Sequence, residues 1–170
     1  IHEFVEDKKL LDKSGPVIVG VSGGADSIAL LHVLKSLGYS CIVCHCNFNL
    51  RGEESLRDRN FTRQIAFEWN LPFKEISFDA SCYAMTNNVS VEMACRQLRY
   101  DWFEEKRKQY RAQAIAVAHH RDDSVETLLL NLIRGTGIAG LTSMKPRNGF
   151  VVRPLLTVSR KDIESYLSEH

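Results

Sequence analysis

The sequence predicts an α/β fold, a five-stranded parallel sheet of order 3-2-1-4-5 with helices on both faces. Three observations carry this reading. Short apolar, β-branched runs alternate with longer segments of helical apolar spacing along the 170 residues. The first run, Val17 to Val21, is apolar throughout, as a strand buried on both faces should be. A glycine turn then joins that run to an apolar-periodic segment, Ile28 to Leu37.

Residues 1–15 open with a short amphipathic stretch (Phe4, Leu10, Leu11) and turn at Gly15-Pro16. Strand one is Val17 to Val21, and helix one is Asp26 to Leu37 with Gly38 at its exit. Strand two is Cys41 to Cys46. Helix two, Glu53 to Trp69, has two acids in its first turn, where the helix dipole favours them. Strand three is Phe73 to Phe78, followed by a largely polar connection from Asp79 to Asn88. Ser90 caps helix three, which runs to about Lys108. Strand four is Ala114 to Ala118, and helix four is Asp123 to Arg134, ended by Gly135. A short strand five, Phe150 to Val152, precedes a last helix begun by Ser159. No internal repeat or low-complexity segment interrupts the series.

Residues 1–170 fit a single domain. Ile1 stands where Met would, and the last helix, about 159–170, has no Gly or Pro exit signal. We therefore expect an excised domain or a fragment, its last helix leading to further C-terminal domains. The chain is 44% hydrophobic and 25% charged with a net charge of +1, so any nucleic-acid contact needs a local basic patch. No run approaches the roughly 18 apolar residues of a membrane span, and no signal-peptide core opens the chain. The five cysteines form an odd set suited to reduced thiols, and we expect a cytoplasmic protein without a membrane partner. Cys41-x-x-Cys44 has the spacing of a metal or redox pair. Within a strand, residues three apart face opposite sides, which favours buried structural thiols.

The turn Ser22-Gly23-Gly24-Ala25-Asp26-Ser27 is the chemical centre. Its glycines allow positive φ, and bare amides at a helix start attract phosphate. A Walker loop would place Lys-Ser/Thr after the last glycine; here Ala25-Asp26-Ser27 stands instead. An acid in a phosphate cradle makes sense if a divalent cation bridges the two. The plain alternative is a glycine turn with Asp26 and Ser27 as ordinary helix-start acceptors. In the predicted strand order, strands one and four flank the point where order reverses, the favoured ligand site. The loop after strand four is His119-His120-Arg121-Asp122-Asp123. Asp123 and Glu126 have capping-box spacing, so a cap alone could explain them. Zinc on His119 and His120 is the weaker reading, because adjacent residues rarely point the same way. Glu92, Arg96, Arg99 and Phe103 fall on one helical stripe; the bland reading is an exposed Glu–Arg pair.

The glycine loop resembles the pyrophosphate loop of the N-type ATP pyrophosphatases, a Rossmann-like fold of the adenine nucleotide alpha hydrolase type. Four further motifs resemble those of the tRNA(Ile)-lysidine synthetase family. They are His45-Cys-Asn-Phe-Asn-Leu-Arg51, Glu92-x-x-x-Arg96-x-x-Arg99-Tyr100-x-x-Phe103, Ala118-His-His-x-Asp-Asp-Ser-x-Glu-Thr127 and Arg134-Gly-Thr-Gly137. Arg153-Pro-Leu-Leu-x-x-x-Arg160 also fits, as strand and linkage. Phe48 departs from a usual histidine and Ser124 from a usual glutamine.

The resemblance implies that ATP adenylates the C2 carbonyl oxygen of the wobble cytidine of an isoleucine tRNA with a CAU anticodon. Free L-lysine then displaces AMP through its ε-amine. It implies ATP contacts from Ser22, Gly23, Gly24, Ala25, Asp26, Ser27, His45 and Asn47. Mg²⁺ would sit on Asp26 with Asp122 or Asp123, and Asp123 and Glu126 would grip the lysine ammonium groups. Arg96 and Arg99 would meet phosphates or the lysine carboxylate. Arg51, Arg57, Arg59 and Arg63, or Lys106, Arg107, Lys108 and Arg111, could meet tRNA, although interspersed acids suit a solvated face equally. A tRNA thiolation enzyme and a nucleotide-binding module without catalysis are the competing readings. Oligomeric state is open, a homodimer included.

Overall fold

Alternation along the central strand builds both cores. In the computed structural model, which describes residues 1–133 and 144–170, β1 is Val17–Gly20. Val17, Val19 and Val21 enter one apolar cluster and Ile18 the other. The first cluster takes Leu30, Leu31 and Leu34 from α2 (Ala25–Ser36), Ala66 from α3 (Glu53–Glu68) and Val5 from α1 (His2–Asp7). The second takes Trp102 and Phe103 from α5 (Val91–Gln109). Cys41 and Cys44 of β2 (Cys41–Asn47) divide between the two clusters, and burial pushes both thiols up to about 12. They are structural thiols on opposite faces. Gly20 is needed because a Cβ there would stand 2.7 Å from the Phe103 ring.

The remaining elements are β3 (Phe73–Ser77), α4 (Ala80–Asn87), β4 (Ala114–Ala116), α6 (Arg121–Ile133), β5 (Arg147–Asn148), β6 (Val151–Val152) and α7 (Arg160–Glu169). The sheet order is β3-β2-β1-β4-β6-β5. Val17 pairs in parallel with Cys41 on one side and Ala114 on the other, so β1 and β4 adjoin where strand order reverses. The sheet thus has six strands with one antiparallel pair, where five parallel strands were expected. The extra strand arises because Gly149, at φ +58, turns Arg147 and Asn148 back against Val152 and Val151.

Three helices correct the sequence reading. The supposed polar connection after β3 contains α4. Its ends are satisfied locally, with the Asp79 carboxylate accepting from Cys82 N at 2.8 Å and Asn88 closing it in the left-handed region. Ala80 and Ala84, one turn apart, supply its buried face. Helix α6 starts at Arg121, two residues before the expected Asp123. The opening stretch likewise coils into α1, burying Val5. Ser90 caps α5 and Ser159 caps α7, the latter in a capping box with Asp162. The Arg134 to Gly137 motif lies outside the described residues.

Candidate functional site

The loops after β1 and β4 open on a cavity of about 560 Å³ at the carboxyl end of the sheet. Its walls include Ser22, Gly24, Asp26 and Ser27 from the glycine loop, His45, Asn47 and Phe48 from the end of β2, Asp58 from α3, Cys95 and Arg99 from α5, and His119.

The glycine loop is held from within. Ser27 Oγ accepts from Ser22 N at 3.2 Å and donates to Gly24 O at 2.8 Å. Gly24 N reaches Ser22 Oγ at 3.4 Å, so this amide is less bare than the sequence suggested. Among the described residues no protein acceptor meets the amides of Gly23, Ala25 and Asp26. They stand at the N-terminus of α2, where the helix dipole favours an anion. Only Gly23 has positive φ, +99°, and a Cβ there would lie 3.0 Å from Asp58 Cβ. At Gly24 an added Cβ would meet only Ser22 Oγ, at 3.6 Å, which leaves the approach open to a ligand.

Asp26 carries the main electrostatic anomaly, since its Oδ1 is buried without a hydrogen-bond partner. An unmet buried oxygen is costly, and a cation would satisfy it. Its Oδ2 lies 3.8 Å from His120 Nε2. His120 is 5% exposed, and its backbone N–H donates to Asp123 Oδ2 at 2.9 Å while Asp123 N reaches its Nδ1 at 3.4 Å. The reciprocal cap of α6 is therefore His120 with Asp123, not Asp123 with Glu126. Asp122 turns the other way, accepting from Arg160 N at 2.9 Å at the head of α7. Among the described residues no group of three or more His, Cys, Asp or Glu could hold a metal ion. Asp26 fits a cation whose remaining ligands come from a bound phosphate and water.

His119 faces Arg153 instead, accepting from its Nε at 3.1 Å. Burial first, then Arg153, pushes the imidazole down to about 4. The two histidines thus point to different partners. His45 is buried, with Nδ1 2.9 Å from Val21 O, and burial pulls its pKa down. Asn47 accepts from Asn49 N at 2.9 Å, shaping the exit of β2. Arg99 lies over the Phe48 ring at 5.4 Å, and Arg96 over Tyr100 at 5.2 Å.

The cavity gathers Ser22, Gly24, Asp26, Ser27, His45, Asn47 and Arg99. It does not gather Arg96, Asp122, Asp123 or Glu126 on its wall. Asp123 joins it through His120, and Glu126 is exposed on α6. No Glu92–Arg96 ion pair forms among the described residues. Sequence reading passed over Asp58, whose closeness to Gly23 depends on tertiary packing, and Arg153, which it read as linkage. It took the cysteines as buried thiols; Cys46 and Cys95 also line the cavity, Cys46 pushed up to about 12 by burial. The basic cluster ending α5 is largely paired, Arg107 and Lys108 with Glu104 and Lys106 with Glu105. On α3, Arg63 pairs with Glu75.

The chain is 57% identical over 169 residues to the tRNA(Ile)-lysidine synthase of Parabacteroides distasonis, covering 99% of this chain and 39% of that protein. Against the enzyme of that name from Bacteroides thetaiotaomicron it is 52% identical over 168 residues, 99% of this chain and 38% of the relative. The chain therefore spans about two fifths of the length of these curated relatives. Among solved structures, the U34-tRNA thiolase NcsA of Methanococcus maripaludis with its 4Fe-4S cluster superposes with a TM-score of 0.75 at 16% identity, over 98% of this chain and 64% of that one. The NH3-dependent NAD synthetase of Campylobacter jejuni gives 0.62 at 18% identity, over 99% and 70%. These two share the fold. One family model, described as the PP-loop domain, matches residues 1–170, and this chain, with its glycine loop free of lysine, belongs to that family.

Proposed function

We propose that this chain is the ATP-using catalytic domain of a tRNA(Ile)-lysidine synthase, in the cytoplasm. The carrying observation is one cavity that joins the bare-amide glycine loop, the orphaned Asp26 Oδ1, and Arg99. The names of the relatives at 57% and 52% identity support the choice of tRNA and lysine.

The amides of Gly23, Ala25 and Asp26 bind the β- and γ-phosphates of ATP, with Ser22 and Ser27 holding the loop in shape. Without a lysine on the γ-phosphate, the loop suits departure of intact pyrophosphate. Asp26 would hold Mg²⁺ together with the bound phosphates and water, and the cation would offset charge building on that leaving group; Asp122, held by Arg160 N, does not reach it. Arg99 steadies the α-phosphate or the lysine carboxylate. Activation falls on the C2 carbonyl oxygen of the wobble cytidine in a CAU anticodon. The ε-amine of L-lysine then attacks C2 and AMP leaves. That amine has a pKa of about 10.4 and must be neutral to attack, so Asp123 or Glu126 takes its proton. Arg51, Arg57 and Arg59 face the tRNA backbone.

Pyrophosphate release from ATP by the full-length protein tests the reading. It should require both tRNA and lysine, and lysine-independent release would leave the nucleophile open. A thiolation enzyme needs reactive thiolates, and the Cys46 thiol, held at about 12, argues against it.

A further inference from the structure

We infer that Arg153 is a positioning residue that holds His119 as the neutral Nε2–H tautomer, an uncharged hydrogen-bond donor offered to the nucleotide cavity. Arg153 is fixed before any substrate arrives. It is 8% exposed, its Nη1 donates to Lys145 O at 2.9 Å, and its backbone N–H donates to Pro146 O at 2.9 Å. Its Nε then donates to His119 Nδ1 at 3.1 Å. A guanidinium has only donors, so Nδ1 must present its lone pair and the ring proton must sit on Nε2. His119 lines the cavity, and among the described residues no protein group bonds its Nε2.

The groups around the ring oppose a second proton. Burial does so most; Arg153 after β6 and Arg96 and Arg99 on α5 add to it, while Asp123 on α6 favours an imidazolium but is outweighed. An imidazolium would also turn an Nδ1 proton against the guanidinium. His119 therefore serves as a fixed neutral donor to an oxygen acceptor of the substrate, phosphate or carbonyl, and not as a proton shuttle. The identity of that acceptor rests on the function proposed above; the tautomer does not.

The test is long-range ¹⁵N–¹H correlation of histidine side chains in the full-length protein, ring-labelled, between about pH 5 and 8. One imidazole, absent from the His119→Gln spectrum, should show a bare Nδ1 and a protonated Nε2 throughout. A proton on Nδ1, or a midpoint near the ordinary value of about 6.5, overturns the inference. In Arg153→Met the midpoint of the same signal should rise above that of wild type, and stop short of 6.5 because burial, the larger cause, remains. Pyrophosphate release by that variant should fall at neutral pH, where the unlocked ring shares its proton between Nδ1 and Nε2, and recover in part below the new midpoint, where the imidazolium donates from both nitrogens. A loss of activity with neither the spectrum nor the pH profile changed would make Arg153 merely structural and also overturn it. If Arg153→Met does not fold, the wild-type titration decides. If no form of the protein releases pyrophosphate, the functional reading fails while the spectrum still judges the tautomer.

Discussion

His120 Nε2 lies 3.8 Å from Asp26 Oδ2, so one buried ring spans the loops after β1 and β4. The same residue caps α6 by exchange with Asp123. His120→Ala removes the ring and the side-chain half of the cap. It should lower stability by about 1–3 kcal/mol in urea unfolding. His120→Asn, a short capping side chain, should recover part of that loss. Equal stability of the alanine variant would mean that the ring joins nothing.

The two loop glycines should fail in different ways. Gly23 has φ +99, and a Cβ there meets Asp58 at 3.0 Å, so Gly23→Ala should cost about 1–3 kcal/mol of stability. Gly24 has φ −76 and an open approach, so Gly24→Ala should cost about 1 kcal/mol or less, as a weaker N-cap. A methyl there stands where phosphate would arrive, and ATP affinity should fall at least about tenfold. Calorimetric titration with ATP beside thermal unfolding separates the two; a Gly24→Ala variant with wild-type affinity would move the phosphate elsewhere.

The contrast between those glycines shows what was legible in the sequence. Local signals fixed the glycine turn, the Ser90 and Ser159 caps and the division of Cys41 from Cys44, because each depends on residues close in the chain. Helix α4 was missed because Ser, Thr and Asn in its interior resemble a loop, and its Asp79 cap looked like one more polar residue. Asp58 against Gly23 and Arg153 against His119 join residues 35 and 34 apart in the chain. No local period marks such pairs; only the side-by-side packing of β1, β4 and their neighbours brings them together.

Acid should destabilise the fold before the carboxylates titrate. Burial pulls His32 and His45 below the ordinary histidine value, and His119 down to about 4. Between those limits the unfolded chain binds protons that the folded chain refuses. Stability should therefore fall as pH drops from about 6.5 towards 4, with His119 contributing at most about 3 kcal/mol. Urea unfolding at several pH values measures the slope, which His119→Gln should flatten. An identical slope in that variant would contradict the shift.

Phe48 stands where the lysidine synthetase motif usually carries histidine, and Arg99 rests over its ring at 5.4 Å. Phe78 stacks behind it, with centroids 5.8 Å apart. The ring limits where the guanidinium can go. Phe48→Ala should release it and raise the KM for ATP or lysine about threefold to tenfold, the equivalent of about 1 kcal/mol. Phe48→His keeps an aromatic face and should fall between the two. An unchanged KM for both substrates in Phe48→Ala would mean that Arg99 needs no such support.

Asp26 separates catalysis from stability most sharply. A side chain needed for the fold should be satisfied within it, yet Asp26 Oδ1 is buried with no partner. Leaving a buried acceptor unmet costs about 1–3 kcal/mol, so removing its charge should not harm folding. Asp26→Asn keeps the shape and the reach toward His120 but weakens any hold on a cation. The variant should unfold at the same urea concentration as wild type or higher, while tRNA- and lysine-dependent pyrophosphate release falls about a hundredfold or more. Raising Mg²⁺ should recover part of that loss if the carboxylate acts through the cation. Full activity in Asp26→Asn would remove Asp26 from the chemistry. A large loss of stability would instead make its orphaned oxygen part of the structure.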